Sequence, residues 1–449
     1  MRLFFILVLL ILSAVASEQA SAKQKLKKTC HAINHTVIIY LENHSFYNLF
    51  SNFPGADNAL SDDYKGQISE DNKLYSTLPV VTERNKTRTI DKRFPENLPN
   101  KPFAIDVFAK KEEKTPDPAH DFYTHIYQIN NGKMDRFVSQ SGTGAFVMGY
   151  YDMKDSNLWK YAQENTLADN FFQSAFGGSF INHQWLITGK TPEFKNAPDK
   201  IKIKLHPDGR VLQQGIVTED GYAVNSFMPF NPPFDPSATD STIRLPTLDY
   251  DTIGDRLNEK NISWAWYAGG WNQAVKGEKV ESFQYHHQPF IFFKKYGPGT
   301  NGRKKHLKDE LDLLSDIRKN KLPQVVFYKP IGFENAHPGY TDLASGDKKV
   351  KTIVDAILKS RYAKNTFVII TFDEHGGFWD PKSPPKVDRW GPGSRIPAIF
   401  ISANLKAGSI NHDLFETTSI TAGLEKKYKL RGLLTRKPQN SIDLDACNK

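Results

Sequence analysis

The chain has 449 residues, 39% hydrophobic and 12% aromatic, enough for one large α/β domain or two ordinary ones. Two cysteines are too few for a thiolate metal cluster, and nothing beyond the first residues approaches the roughly 20 apolar positions of a membrane span. The net charge of +9 is scattered over separate basic runs without a nucleic-acid module, which sets nucleic acid aside and leaves anionic surfaces or phosphorylated substrates.

In chain order, Arg2 precedes an apolar run over residues 3–12 and a small-residue region ending in Ala20-Ser21-Ala22. That layout predicts a secretory signal over residues 1–22, with cleavage after Ala16 fitting the same rule and an uncleaved membrane anchor as the alternative. The mature chain, residues 23–449, is then secreted or periplasmic. Cys30 and Cys447 lie near its two ends, and in an oxidising compartment they either pair or remain free thiols. Residues 37–41, Val-Ile-Ile-Tyr-Leu, read as a covered strand that runs straight into Glu42-Asn43. Residues 60–118 are polar and rich in proline and lysine, which suggests a long surface excursion. Prolines exclude a regular helix over residues 228–241.

Further strands are predicted at residues 261–266, 324–328, 367–372 and 397–401, and helices at 248–258, 304–320 and 347–360. Alternating strands and helices imply an α/β fold with a mainly parallel sheet covered on both faces. One compact domain with long insertions is the expected arrangement.

The strand at 367–372 ends like the first one, in Asp373-Glu374. Ligands of open α/β sheets bind just beyond the carboxyl ends of strands, and carboxylates with an amide oxygen suit a divalent cation there. Between these pairs lies Gly177-Gly178-Ser179, where two glycines permit a tight turn that exposes the serine hydroxyl. Histidines 120, 286, 287 and 337 all stand in loop-like, proline-flanked settings, where imidazoles can bind phosphate oxygens or act as acids.

Glu42-Asn43-His44-Ser45-Phe46, Pro118-Ala119-His120, Gly177-Gly178-Ser179 through Asn182-His183-Gln184, Trp264 to Trp271, His286-His287-Gln288-Pro289 and Phe372 to Gly377 occur in that order. The ordered set resembles the phosphoesterase family of bacterial acid phosphatases and phospholipases C. The resemblance implies an alkaline-phosphatase-like α/β fold and action on phosphate esters. It implies that Glu42, Asn43, Ser179, Asp373 and Glu374 surround a metal, whether calcium, manganese, magnesium or zinc. Ser179 would be the nucleophile, while His120, His286, His287 and His337 would bind phosphate oxygens, one of them protonating the leaving alcohol. His44 stands where the family often has arginine, and Tyr47 where it often has aspartate.

Serine at the nucleophile position and a chain that ends soon after residue 401 favour an acid phosphatase acting on monoesters through phosphoserine. A phospholipase C cleaving phosphatidylcholine-type diesters is the alternative, and an inactive surface protein binding anionic lipid is the alternative outside enzymes. The partner is thus a phosphate ester and, in the second reading, a phospholipid. Oligomeric state is not legible.

Overall fold

The computed structural model describes residues 30–60 and 63–447, so the expected signal segment lies outside the described residues. Among the described residues no helix is long and apolar enough to cross a membrane.

Short apolar, β-branched runs form the centre. The main sheet contains β1 (His35–Leu41), β2 (Thr166–Ala168), β3 (Trp264–Ala268), β4 (Leu307–Asp309), β5 (Val325–Lys329), β6 (Thr366–Phe372), β7 (Ala398–Ile401) and β8 (Ser409–Asn411). Their order across the sheet is β8-β2-β7-β6-β1-β5-β3-β4. All pairings are parallel except those that β7 makes with β6 and with β2, so β7 alone opposes the rest. Every residue of β3, β5 and β6 is buried, and so is β1 from Thr36 onward. Side chains alternate between faces, so this requires cover on both. Each large apolar side chain so buried contributes about 1.5–3 kcal/mol.

The cover comes from α1 (Phe122–Ile129), α2 (Asn157–Glu164), α3 (Ser179–Thr188), α4 (Ile253–Glu259), α5 (Glu310–Arg318), α6 (Leu343–Leu358) and α7 (Thr417–Tyr428). Helix α3 packs on α4 and α7, whereas α6 packs on α2 and α5. Asp347 of α6 accepts from the backbone N–H of Asn157 and Leu158 at 2.9 and 2.8 Å, placing a carboxylate at the positive end of α2.

The expected α/β class and mainly parallel sheet are observed, with three local differences. The predicted helix over 304–320 is two helices, Asn301–His306 and α5, separated by the edge strand β4. Leu307 to Asp309 pair with Trp266 to Ala268, and Asp309 then caps α5, so sheet pairing overrides helix propensity there. The helix predicted from 248 starts at Ile253, where Thr252 and Asp255 form a capping box. The polar stretch before residue 118 is not a pure surface excursion, because Leu78, Val81, Phe94, Leu98 and Ile105 anchor it in the core.

Cys30 and Cys447 are bonded, their Cα atoms 5.9 Å apart across a sequence separation of 417. A cross-link closing so long a loop restricts the unfolded chain strongly. Replacing both cysteines by serine should therefore lower the unfolding free energy by about 2–5 kcal/mol. Urea unfolding with an unchanged midpoint would show that other contacts hold the termini.

Candidate active site

Three neighbouring strands, β6, β1 and β5, deliver charged side chains to one point. Leu41 is in register with Phe372, and the Asp373 N–H donates to Leu41 O at 3.0 Å, so Glu42 and Asp373 leave the sheet side by side. On the other flank β5 ends in Lys329, whose Nζ donates to Leu41 O at 3.2 Å. The same ammonium lies 2.5 Å from Glu42 Oε1 and 3.8 Å from Asp373 Oδ2. Glu42, Asn43, Lys329, Asp373 and Glu374 are all almost fully buried.

Ser179 opens α3 facing this cluster. Gly177 has φ +85°, and a Cβ on it would stand 2.6 Å from Phe122 Cα, so glycine is required twice over. Asn182 ties the turn down, its Nδ2 donating to the carbonyls of Ala175, Gly177 and Gly178 at 3.2–3.3 Å. The Gly177 N–H donates to His125 Nδ1 at 3.0 Å. Held in this way, Ser179 Oγ donates to Glu42 Oε2 at 3.2 Å and lies 3.5 Å from Asn43 Oδ1.

A cavity of about 620 Å³ opens above the serine, lined by Glu42, Ser179, His120, His286, His287 and His337 among others. The structure thus brings all four candidate histidines to one space. His287 Nε2 sits 2.7 Å from Glu42 Oε1, and Trp266 of β3 donates its indole N–H to His287 O at 2.8 Å. His120 Nε2 is 3.7 Å from Glu374 Oε1 and its Nδ1 meets Pro118 O at 2.7 Å. His337 Nε2 is 3.8 Å from Glu42 Oε2, and its ring stacks on Tyr340. His286 packs edge-on against His287. Asn43, Asp373 and Glu374 lie behind the cavity surface rather than on it.

Charge is unevenly balanced here. Burial pushes Glu42 up, but His287 and Lys329 outweigh it and hold Glu42 well below the usual carboxylate range. Burial brings His287 itself down to about 4, so its imidazole is neutral at neutral pH, and Lys329 Nζ is the basic group in direct contact with Glu42. Asp373 and Glu374 go the other way. Burial pushes both well up, reinforced by Glu42 for Asp373 and by Asp373 for Glu374. Asp373 Oδ2 and Glu374 Oε1 are buried with no hydrogen-bond partner. Glu42, His183 and Asp373 offer ligand atoms within 4.8 Å of one another. Crowded, unpartnered carboxylate oxygens beside an amide and a hydroxyl are the donor set of a divalent cation site, and the residues fit one.

The phosphoesterase family model matches residues 33–431, and the chain belongs to that family. Non-specific phospholipase C6 of Arabidopsis thaliana is 29% identical over 152 residues, 27% of this chain and 29% of that protein. Non-hemolytic phospholipase C of Pseudomonas aeruginosa is 20% identical over 73% of this chain and 46% of its own length. Phospholipase C B of Mycobacterium tuberculosis is 23% identical over 86% of this chain and 71% of its own. The chain thus spans less than half the length of the first two relatives. A solved alkaline phosphatase superfamily protein from Vibrio parahaemolyticus aligns with 72% of this chain and 71% of its own at 10% identity, with a TM-score of 0.34.

Three site residues escaped the sequence reading. Lys329 follows a predicted strand just as Glu42 and Asp373 do, and that shared position was the available signal. His183 stands four residues after Ser179 in the same motif; its Nδ1 meets Ser179 O at 2.7 Å and lies 3.6 Å from Asp373 Oδ2. Asp117, 3.7 Å from His120 Nδ1, had no signal beyond its place three residues earlier. His44, the departure from the family pattern, is buried between two acceptors, Asn48 Oδ1 at 2.7 Å and Ala336 O at 2.9 Å. Its neutral ring can donate to only one of them.

Burial lowers His125 to about 3, against about 6.5 unfolded. Below pH 6.5 the unfolded chain therefore takes up a proton that the folded chain refuses, and stability falls as pH falls toward 3. His125→Gln should flatten the pH dependence of the unfolding free energy by about 1.4 kcal/mol per unit between pH 6 and 4. Equal slopes in the two proteins would mean that His125 is protonated inside the fold.

Proposed function

We propose that the chain is a metal-dependent phosphoesterase, and that it acts as an acid phosphatase on phosphate monoesters through a phosphoserine at Ser179. The observation that carries this reading is the Ser179 hydroxyl, aimed by its bond to Glu42 at the floor of a polar cavity lined by four histidines. In the first step Ser179 Oγ forms a bond to phosphorus as the ester P–O bond breaks, the serine proton passes to its acceptor Glu42 Oε2, and a histidine proton goes to the departing alcohol oxygen. In the second, water oxygen bonds to phosphorus as the serine O–P bond breaks, a water proton returns to the histidine, and Glu42 gives back the serine proton, which frees inorganic phosphate and restores the hydroxyl. Glu42, Asn43, Ser179, Asp373 and Glu374 would hold the metal, with His183 close enough to join them. A divalent cation bound there would lower the serine pKa and neutralise charge on the phosphoryl group.

Burial depresses His120, His286 and His287, so an imidazolium able to donate to the alcohol is populated toward acid pH. That supports the acid direction. Residues 23–449 are read as one catalytic domain, and the Cys30–Cys447 bond supports a secreted or periplasmic protein.

Phospholipase C action on phosphatidylcholine-type diesters is the second reading, favoured by the names of the curated relatives. Against it, the cavity lining is dominated by polar groups such as Gln140, Gln214, Asn225 and Gln284, with little to cradle acyl chains.

Acid-quenching the protein during turnover of p-nitrophenyl phosphate should trap phosphate on Ser179, detectable by peptide mass. Ser179→Ala should lose both the adduct and at least about a thousandfold in kcat. Release of phosphocholine from phosphatidylcholine, with p-nitrophenyl phosphate untouched, would replace the monoester reading by the second one.

A further inference from the structure

The polar stretch before residue 118 sends one loop back over the cavity. Thr82 bridges Ile90, and the Glu83 N–H donates to Thr89 O at 2.8 Å, so residues 83–89 form a tight tip. From that tip Arg84 and Arg88 both line the cavity that holds Ser179. They converge on Gly142, where a Cβ would stand 2.5 Å from Arg88 Nη1 and 3.0 Å from Arg84 Cγ. Arg88 donates to Gly142 O, and its own backbone sits at φ +49°, a left-handed conformation uncommon for a residue with a side chain.

The two guanidinium groups differ in how they are neutralised. Arg84 Nη2 pairs with Asp117 Oδ2 at 2.7 Å and its Nε donates to Asp117 O at 2.9 Å, which fixes the side chain beside His120. Arg88 forms no ion pair among the described residues. An arginine cannot shed its charge, and Arg88 is exposed at the cavity, so its cation faces solvent and is open to an anionic ligand beside the four histidines. Planar guanidinium donors match carboxylate and phosphate oxygens. The surrounding glutamine amides suit hydroxyl groups and give nothing to an alkyl chain.

Resting on the phosphomonoesterase reading, we propose that this cavity selects phosphate esters whose alcohol carries a second anionic group, which Arg88 binds beside the fixed Arg84. The second group is a phosphate or a carboxylate, since both present the same oxygens.

The test compares initial phosphate release from two matched pairs. Fructose 1,6-bisphosphate against fructose 6-phosphate probes a second phosphate, and 3-phosphoglycerate against glycerol 3-phosphate probes a carboxylate. In at least one pair the doubly anionic ester should have a kcat/KM about tenfold higher, mainly through KM. Arg88→Gln should bring that ratio close to one, and Arg88→Lys should retain part of it. Equal kcat/KM within both pairs, or a preference that survives Arg88→Gln, would overturn the proposal while p-nitrophenyl phosphate is still hydrolysed. Phosphate release from none of these esters would overturn the phosphomonoesterase reading and the proposal with it.

Discussion

Three carboxylates buried at the ends of two adjacent strands, with a single ammonium between them, set the terms for the rest of the molecule. Removing an unpaired charge from water costs several kcal/mol even after relaxation, so Glu42, Asp373 and Glu374 are placed together against a steep opposing force. Lys329 balances one of them. The remaining two are left with raised pKa values and unpartnered oxygens. Such a cluster is a poor way to stabilise a fold and a good way to bind a cation. Its cost is carried by the sheet, whose strands β5, β6 and, from Thr36 onward, β1 are buried and fix the register that brings the charges together.

The surrounding parts take their positions from that centre. Glu42 receives the Ser179 hydroxyl on one oxygen and contacts Lys329 and His287 with the other, so one side chain orients serine, lysine and histidine at once. The serine turn is held from behind by Asn182 and by His125, which stays neutral because it is buried and can therefore accept from the Gly177 N–H. His120 and His337 reach the cavity from loops on its far side, and Asp117 links His120 to Arg84 on the outer wall. The carboxylate cluster, the serine turn and the outer wall of the cavity are thus joined through direct contacts.

Much of this was legible because the centre is built from strand ends. The runs 37–41 and 367–372 are apolar on both faces, which marks them as covered strands, and the polar pair after each then falls at the sheet's carboxyl edge. Lys329 obeyed the same logic yet passed unnoticed, because a lone lysine after a strand ordinarily reaches solvent and only tertiary contact with Glu42 reveals otherwise. Arg84 and Arg88 were hidden inside a segment whose composition reads as surface, although Leu78, Val81 and Phe94 pin it to the core. The reversed direction of β7 was also beyond reach. It depends on the path of the irregular connection over 373–397, and apolar patterning within a buried strand does not encode direction.

The most direct measurement is calorimetric titration of chelator-stripped protein with magnesium, calcium, manganese and zinc, beside Asp373→Asn. If the buried carboxylates are a cation site, at least one ion should bind and stabilise the native protein by about 2.7 kcal/mol at a hundredfold excess over its dissociation constant. Asp373→Asn should bind that ion far more weakly and, without metal, be no less stable than the stripped native protein, because a crowded carboxylate has been removed. Stripped protein that binds none of the four ions, and loses stability when Asp373 is neutralised, would contradict a metal centre and leave the carboxylates as a purely structural cluster.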